Sequence, residues 1–265
     1  MTPPAIEIIS SAQNPRVQLT RALIDQPKAR RKHNLFVAEG ARLVEEGLNS
    51  AFPLHFLLYK ATHTDRVDDL LGRLGPGSPA FLLEDQLFDQ ISDTESSQGV
   101  LAVFSIPEPV LPEPLNLVLI LDQLRDPGNL GTILRSAEAA GAQIVCLPPG
   151  TTDPWAPKVV RSGMGAHFRL PLLSWTWDAI AALTEGLPVY HADMAGESSY
   201  WQVDFTAPCA ILIGGEAEGI SPAGKQLATR TVRIPMIGQN ESLNAAISAS
   251  LLLFEVLRQR FGKRL

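Results

Sequence analysis

Three polar stretches interrupt the apolar background of this 265-residue chain, and each carries side chains able to do chemistry. Asp122–Gly131 (DQLRDPGNLG) delivers Asn129 and, soon after it, Arg135. Gly214–Gly219 (GGEAEG) holds Glu216, and Ile234–Asn244 (IPMIGQNESLN) ends in Ser242 and Asn244. Two amides, a hydroxyl and a carboxylate can orient a polar substrate and exchange protons with it. The guanidinium adds a planar, permanently charged fork suited to a phosphate or a developing oxyanion. No His, Cys or carboxylate cluster has metal-site spacing, so the expected chemistry uses no metal.

Taken singly, each stretch also has an ordinary explanation. The first reads equally as a strand-to-helix turn with a surface arginine, the second as a glycine-rich turn with solvated acids. In the third, Ser242 suits a helix cap, but Asn244 falls just inside the first turn, where asparagine is a poor helix former. One match misleads. Gly219–Gln226 fits G-x-x-x-x-G-K but ends in Gln226 where a magnesium-binding hydroxyl is needed, and Pro222 removes a backbone donor. It reads as a false nucleotide loop, and no complete G-x-G-x-x-G fingerprint occurs.

All three stretches follow apolar strands. The second part of the chain alternates LNLVLIL, a helix over 130–140, QIVCL, a helix over 177–185, PVYHA, AILIGG, TVRIPM and a helix from Leu243 to about Gln259. Ile133, Leu134, Ala137 and Ala140 form the buried stripe of the first of these helices, with Arg135 off it. The last helix is expected to bury Leu243, Ile247, Leu251 and Phe254. Its run Leu251–Phe254 is more apolar than one stripe needs, which suggests a face between two copies. The first part opens with a helix at Pro15 and a basic turn. It continues with LFVAE, ARLVEEGL, HFLLY, DRVDDLLGRL, AFLLE and GVLAVF as alternating strands and helices. The first part thus reads as a small α/β unit, while the continuous apolar strands between helices in the second part predict a parallel sheet covered on both faces, with ligands at the carboxyl ends of its strands.

Ile106–Asn116 (IPEPVLPEPLN), with four prolines in eleven residues, divides the two parts as a stiff linker. The expected organisation is 1–105, a linker at 106–114, and 115–265. A composition of 45% apolar and 19% charged residues fits a soluble globular protein and excludes disorder and coiled coil. The net charge of −6 argues weakly against nucleic acid, but the average hides a basic stretch. Asn14–Leu43 carries Arg16, Arg21, Lys28, Arg30, Arg31, Lys32 and Arg42 against Asp25 and Glu39, a local +5. A phosphate backbone responds to that local face within a Debye length, although a solvated helix face has the same composition. Cys146 and Cys209 sit in apolar runs and read as free thiols of a reducing compartment. With no leader-like N-terminus and no apolar run of membrane-spanning length, a cytoplasmic location is expected.

The motifs are more specific together than apart. D-P-G-N-L-G-x-x-x-R, G-x-E-x-x-G and I-P-M-x-x-x-x-x-S-L-N, in this order, resemble the three signatures of the SpoU (TrmH-like) RNA ribose methyltransferases of the SPOUT superfamily. Lys158–Pro171 (KVVRSGMGAHFRLP) resembles the segment between the first two signatures. Ser11–Gly40, with N-P-R and F-V-A-E-G, and Gln98–Ala102 (QGVLA) are similar to the family's N-terminal domain. The resemblance implies an α/β protein: a trefoil-knotted, parallel-sheet methyltransferase domain preceded by a small α/β RNA substrate-binding domain. It implies S-adenosylmethionine as cofactor, held around Gly214, Glu216, Gly219, Ile234, Met236 and Leu243. Asn129, Arg135, Glu216, Ser242 and Asn244 match the catalytic positions, and the family works as homodimers. Arg16, Arg30, Arg31, Lys32 and Arg135 are the expected RNA contacts. The sequence departs at Gly215, where a polar side chain is common, and at Ala245 and Ala246.

The activity implied is methylation of a ribose 2′-hydroxyl in RNA, with ribosomal RNA favoured because an N-terminal RNA-recognition domain precedes the catalytic half, and with the same chemistry on transfer RNA as the alternative. Arginine stays protonated, so Arg135 is expected to clamp a phosphate rather than act as a base. The proton could pass to that phosphate, to water or to Glu216. A non-catalytic RNA-binding or ribosome-assembly protein is the rival reading. Keeping Asn129, Arg135, Glu216 and Asn244 together speaks against it, because binding alone does not need all four.

Overall fold

Capping residues set where many of the helices begin. Asn14 accepts a hydrogen bond from Arg16 N at 2.9 Å just ahead of Pro15, and Asp126 accepts from Asn129 N at 2.7 Å just ahead of Pro127. The computed structural model describes residues 8–74, 78–94, 96–216, 219–239 and 242–261. Ala217, Glu218, Asn240 and Glu241 of the motifs therefore lie outside the described residues.

The chain begins β1 (Ile8–Ile9), α1 (Pro15–Asp25), α2 (Pro27–His33), β2 (Leu35–Glu39) and α3 (Ala41–Leu48). Next come β3 (Leu54–Lys60), α4 (Asp65–Arg73), β4 (Ala80–Leu83), α5 (Asp85–Ile91) and β5 (Val100–Ser105). Beyond the proline-rich stretch lie β6 (Leu117–Asp122), α6 (Pro127–Ala139), β7 (Ile144–Cys146), α7 (Pro157–Ser162), β8 (Leu172–Leu173) and α8 (Trp177–Leu183). The last elements are β9 (Val189–Ala192), β10 (Ser198–Ser199), β11 (Cys209–Gly214), α9 (Pro222–Leu227), β12 (Arg230–Arg233) and α10 (Ala245–Phe261).

The chain forms two compact units, 1–108 with 155–168, and 109–154 with 169–265. The division falls inside the proline-rich stretch, but 155–168 packs with the first unit rather than with the second as its place in the sequence suggests. Trp155, Val160 and Phe168 join Phe36, Phe104 and Ala38 in one apolar cluster. Trp155 lies 4.7 Å from Phe36 between ring centroids, and Phe168 meets Phe104 edge-on at 5.3 Å. The first unit's sheet, in order β1-β4-β3-β5-β2, is mixed, since β5 runs antiparallel to both neighbours. Apolar runs report burial on both faces, not strand direction.

The second unit's sheet, β10-β12-β9-β11-β6-β7-β8, is parallel at every pairing. Val118, Ile120, Ala210 and Leu212 face one apolar cluster. In α10, Ala245, Ala246, Ala249, Leu252, Leu253 and Val256 are buried, and the helix packs on α6 and β11. Ile247, Leu251 and Phe254, expected inward, face outward at 52%, 36% and 46% exposure. The alanines explain the rotation: small side chains at the start of α10 let it lie close to its neighbours, and Ile247, Leu251 and Phe254 take the other face.

The basic stretch is also reassigned in part. Its C-terminal half is α2, not a turn, and Arg30 is buried, with Nη1 donating to Leu23 O and Ile24 O at 2.5 and 3.0 Å. The guanidinium thus satisfies carbonyls at the end of α1. Arg31 and Lys32 are exposed, and Arg16 stacks over Phe81 at 3.8 Å. Arg30→Met should leave those carbonyls unsatisfied and lower stability by roughly 1–3 kcal/mol in urea unfolding. The double change Arg31→Ala with Lys32→Ala should leave the urea midpoint almost unmoved.

Candidate active site

The carboxyl ends of β6, β9 and β11 converge on one region of the second unit. Past β11 the chain turns back at once, with Gly215 N and Gly219 N donating to each other's carbonyls at 3.1 and 3.0 Å. A Cβ at Gly214 would stand 2.5 Å from the Gly219 carbonyl carbon, so only glycine fits there. A Cβ at Gly215 would stand 2.2 Å from Gln123 O, where Gln123 holds φ +56°. The polar side chain common at that position thus has no room; the backbone after β6 occupies its place.

This turn presents Glu216 to two helix N-termini. Asn129, in the first turn of α6, donates from Nδ2 to Glu216 Oε1 at 2.7 Å. Asn244 donates from Nδ2 to the same oxygen at 2.7 Å and to Asn129 Oδ1 at 3.1 Å, while Ala245 N lies 3.4 Å from Glu216 Oε1. Asn244 is not inside the helix, as its sequence position suggests, but caps it. Its Oδ1 accepts from Ala246 N and Ile247 N at 2.9 and 3.2 Å. One amide therefore starts α10 with its oxygen and holds Glu216 with its nitrogen. Ser242, expected as the cap, lines the adjoining cavity instead.

That cavity measures about 310 Å³. Gly214, Glu216, Gly219, Ile234, Met236 and Leu243, the residues expected at a cofactor, all line it. Sequence reasoning missed its other wall: His191, Asp193 and Met194 at the end of β9, and Lys225 on α9. The rule that ligands gather past strand ends applies to PVYHA as well, and only the absence of a motif there hid it. Burial holds the His191 imidazole below its usual range; Asp193 opposes that, Lys225 adds to it, and Asp122 opposes it. The false nucleotide loop has a structural role. Asp122, fully buried, accepts from Ser221 N at 2.6 Å, and Ser221 Oγ accepts from Gly224 N to cap the short α9.

Arg135 does not join the Glu216 cluster. It is exposed on α6 and forms no hydrogen bond or ion pair with any described residue. Arg16, Arg31 and Lys32 belong to the first unit. Among the described residues no His, Cys, Asp and Glu group could hold a metal ion, and no helix is long and apolar enough to cross a membrane. Cys146 is no nucleophile, since burial pushes its thiol up to about 12.

Residues 116–254 match the family model of the SpoU rRNA Methylase family, and residues 14–102 that of the MRM3-like substrate binding domain. The chain is 32% identical to the 23S rRNA (guanosine(2553)-2′-O)-methyltransferase RlmP of Bacillus subtilis, covering 94% of this chain and 98% of that one. It is 32% identical to the 23S rRNA (uridine(2479)-2′-O)-methyltransferase of Streptomyces viridochromogenes, over 99% of this chain and 96% of that one. The solved SpoU methyltransferase AviRb from S. viridochromogenes, in complex with AdoMet, superposes with a TM-score of 0.85. It is 30% identical, covering 94% of this chain and 99% of that one.

Two outcomes follow from the geometry. Asn244→Ala should cost roughly 0.5–2 kcal/mol in chemical denaturation through the lost cap, whereas Asn244→Ser should keep most of it. His191 binds its proton less readily folded than unfolded, so its contribution to stability is complete above the unfolded value of about 6.5. That contribution falls as pH drops through the lowered folded value. Denaturation midpoints between pH 5 and 7.5 should therefore slope upward with pH, and His191→Asn should flatten the slope.

Proposed function

Because the chain belongs to the SpoU rRNA Methylase family, we propose that it methylates a ribose 2′-hydroxyl of ribosomal RNA with S-adenosylmethionine. The observation that carries this reading is the Asn129–Glu216–Asn244 cluster at the edge of the 310 Å³ cavity. The cavity's chemistry suits the cofactor: Ile213, Ile220, Met236 and Leu243 offer apolar surface for a purine, and the Glu216 carboxylate offers an anion to a cation. Besides the end of β9 and Lys225, the cavity is lined by segments around 213–220, 234–236 and 242–248, and their convergence is consistent with the trefoil-knotted path that the resemblance implies.

When bound, S-adenosylmethionine would supply an electrophilic methyl group, whose bond to sulfur breaks as the bond to the 2′-oxygen forms and the hydroxyl proton passes to Glu216, the adjacent phosphate or water. The chain's part is to bring the hydroxyl into line and stabilise the oxygen as it loses that proton. Glu216 Oε1 already receives the two amides, while Oε2 accepts no hydrogen bond from any described residue and is open to the hydroxyl. Asn129 and Asn244 hold the carboxylate in one orientation. Arg135 clamps the phosphate beside the target ribose with its paired donors. Arg31 and Lys32, both exposed, add phosphate contacts in the first unit.

The outward row Ile247, Leu251 and Phe254 repeats at helical spacing on α10, beside the helix that bears Arg135, and supports a homodimer through this face. Two buried free cysteines fit a reducing compartment, and the proposed location is the cytoplasm.

Arg135→Ala should leave S-adenosylmethionine affinity unchanged in calorimetry while lowering methyl transfer by at least a hundredfold, and Arg135→Lys should rescue poorly. Mapping 2′-O-methyl groups on ribosomal RNA from a deletion strain should show one nucleotide unmodified. A complete modification map in that strain would defeat the reading. Mixing Arg135→Ala with an inactive cofactor-cavity variant should restore activity if each site draws on both subunits.

A further inference from the structure

The first unit holds a second cavity, of about 180 Å³, that no step of the methyl transfer uses. Leu43 and Met164 give it apolar walls, and Arg42, Gln98, Arg161 and Glu46 line it with polar groups. The donors are in surplus. Gln98 Oε1 accepts from Ala41 N at 2.7 Å, which fixes the amide, and its Nε2 donates to no described residue. Arg161 Nη2 donates to Asp93 at 2.7 Å, but Nη1 is buried without a hydrogen bond. Nη1 lies 3.8 Å from Glu39 Oε2, and Glu39 already accepts from Ser92, Thr94 and the Asp93 amide. Arg42 is exposed and pairs with no described residue. A buried donor without a hydrogen bond is uncommon, and here it belongs to a residue that lines the cavity.

The space is smaller than the ~300–1,000 Å³ of sites for drug-sized ligands, so the occupant is a single ring system. Apolar walls with polar groups at the margin suit a flat heterocycle whose faces are apolar and whose edges hydrogen-bond. Two carboxylates in the lining disfavour a free phosphate. Among the bases, guanine offers adjacent O6 and N7 acceptors to an arginine fork, whereas adenine places a donor beside N7. Guanine also carries N–H groups that a carboxylate such as Glu46 can accept.

We propose that this cavity receives one unpaired guanine base of the RNA substrate, an inference that rests on the RNA reading above. The base would sit against Met164 and Leu43, with Arg42, Arg161 and Gln98 donating to its edge. The test uses the full chain with saturating S-adenosylhomocysteine, which keeps nucleotides out of the larger cavity. Saturation-transfer NMR is recorded with each of the four ribonucleoside 5′-monophosphates. GMP should give the strongest transfer, greater at its base proton than at its ribose. Arg42→Ala and Met164→Asn, both at exposed positions and the second suited to the φ of +49° there, should each weaken GMP binding at least tenfold. Their S-adenosylmethionine affinity and melting temperature should stay as in the parent. Equal transfer to all four nucleotides would overturn the guanine assignment, and a GMP preference surviving both substitutions would overturn the site. GMP binding at this cavity in a chain that leaves ribosomal RNA unmethylated supports this inference and defeats the methyltransferase reading instead.

Discussion

Glu216 Oε1 accepts from the amides of Asn129 and Asn244, which lie 87 and 28 residues from it, so a single carboxylate oxygen joins three segments of the second unit. Two of those segments are helix N-termini. Unsatisfied N–H groups and the helix dipole make the start of a helix a favourable place for negative charge. Setting α6 and α10 so that both begin at Glu216 therefore stabilises the carboxylate without a cation, leaving Arg135 uncommitted. The arrangement depends on Gly214 and Gly215, because any side chain there would displace the turn or the backbone after β6. It also depends on the alanines at the start of α10, which let that helix approach its neighbours closely.

Asn244 shows why sequence and structure part company at this point. Read as a string, an asparagine near the start of a helix is either a cap or a misfit, and Ser242 competes for the role of cap. The structure gives the cap to Asn244 and lets its nitrogen reach Glu216 at the same time. No local pattern records that double use, since the partner is 28 residues away. The strands β6, β9 and β11 and the inward stripe of α6 were legible, because continuous apolar runs and helical spacing report burial directly. The rotation of α10 was not. Large apolar residues suggest burial, yet the alanines occupy the tight interface.

Charge behaves in the same way. The count over Asn14–Leu43 treats every basic side chain as equivalent. In the fold, Arg30 closes the end of α1 with two carbonyl contacts and Arg16 lies over Phe81, so of the seven basic side chains Lys28, Arg31, Lys32 and Arg42 are the ones left exposed. A basic count measures what a stretch can offer. Only burial and partners show what remains available.

The segment Trp155–Phe168 carries the same argument from side chains to whole units. It lies within residues 116–254, which match the methylase family model, yet its side chains complete the core of the first unit. Phe168 lies 5.7 Å from Phe36 between ring centroids, and Arg161 ties to Asp93 while lining the smaller cavity. The chain therefore enters the first unit twice, and a boundary drawn at the proline-rich stretch separates sequence ranges but not packed bodies. A substitution in this segment acts on the core and the cavity of the unit that matches a substrate-binding family model, although its residue numbers fall in the methylase half. Gly47 makes the point physically: a Cβ there would stand 2.4 Å from Phe104 Cζ and 2.8 Å from Phe168 Cζ. That close approach holds α3, β5 and the returning segment against one another, so the first unit's core is complete only with residues supplied from beyond the linker.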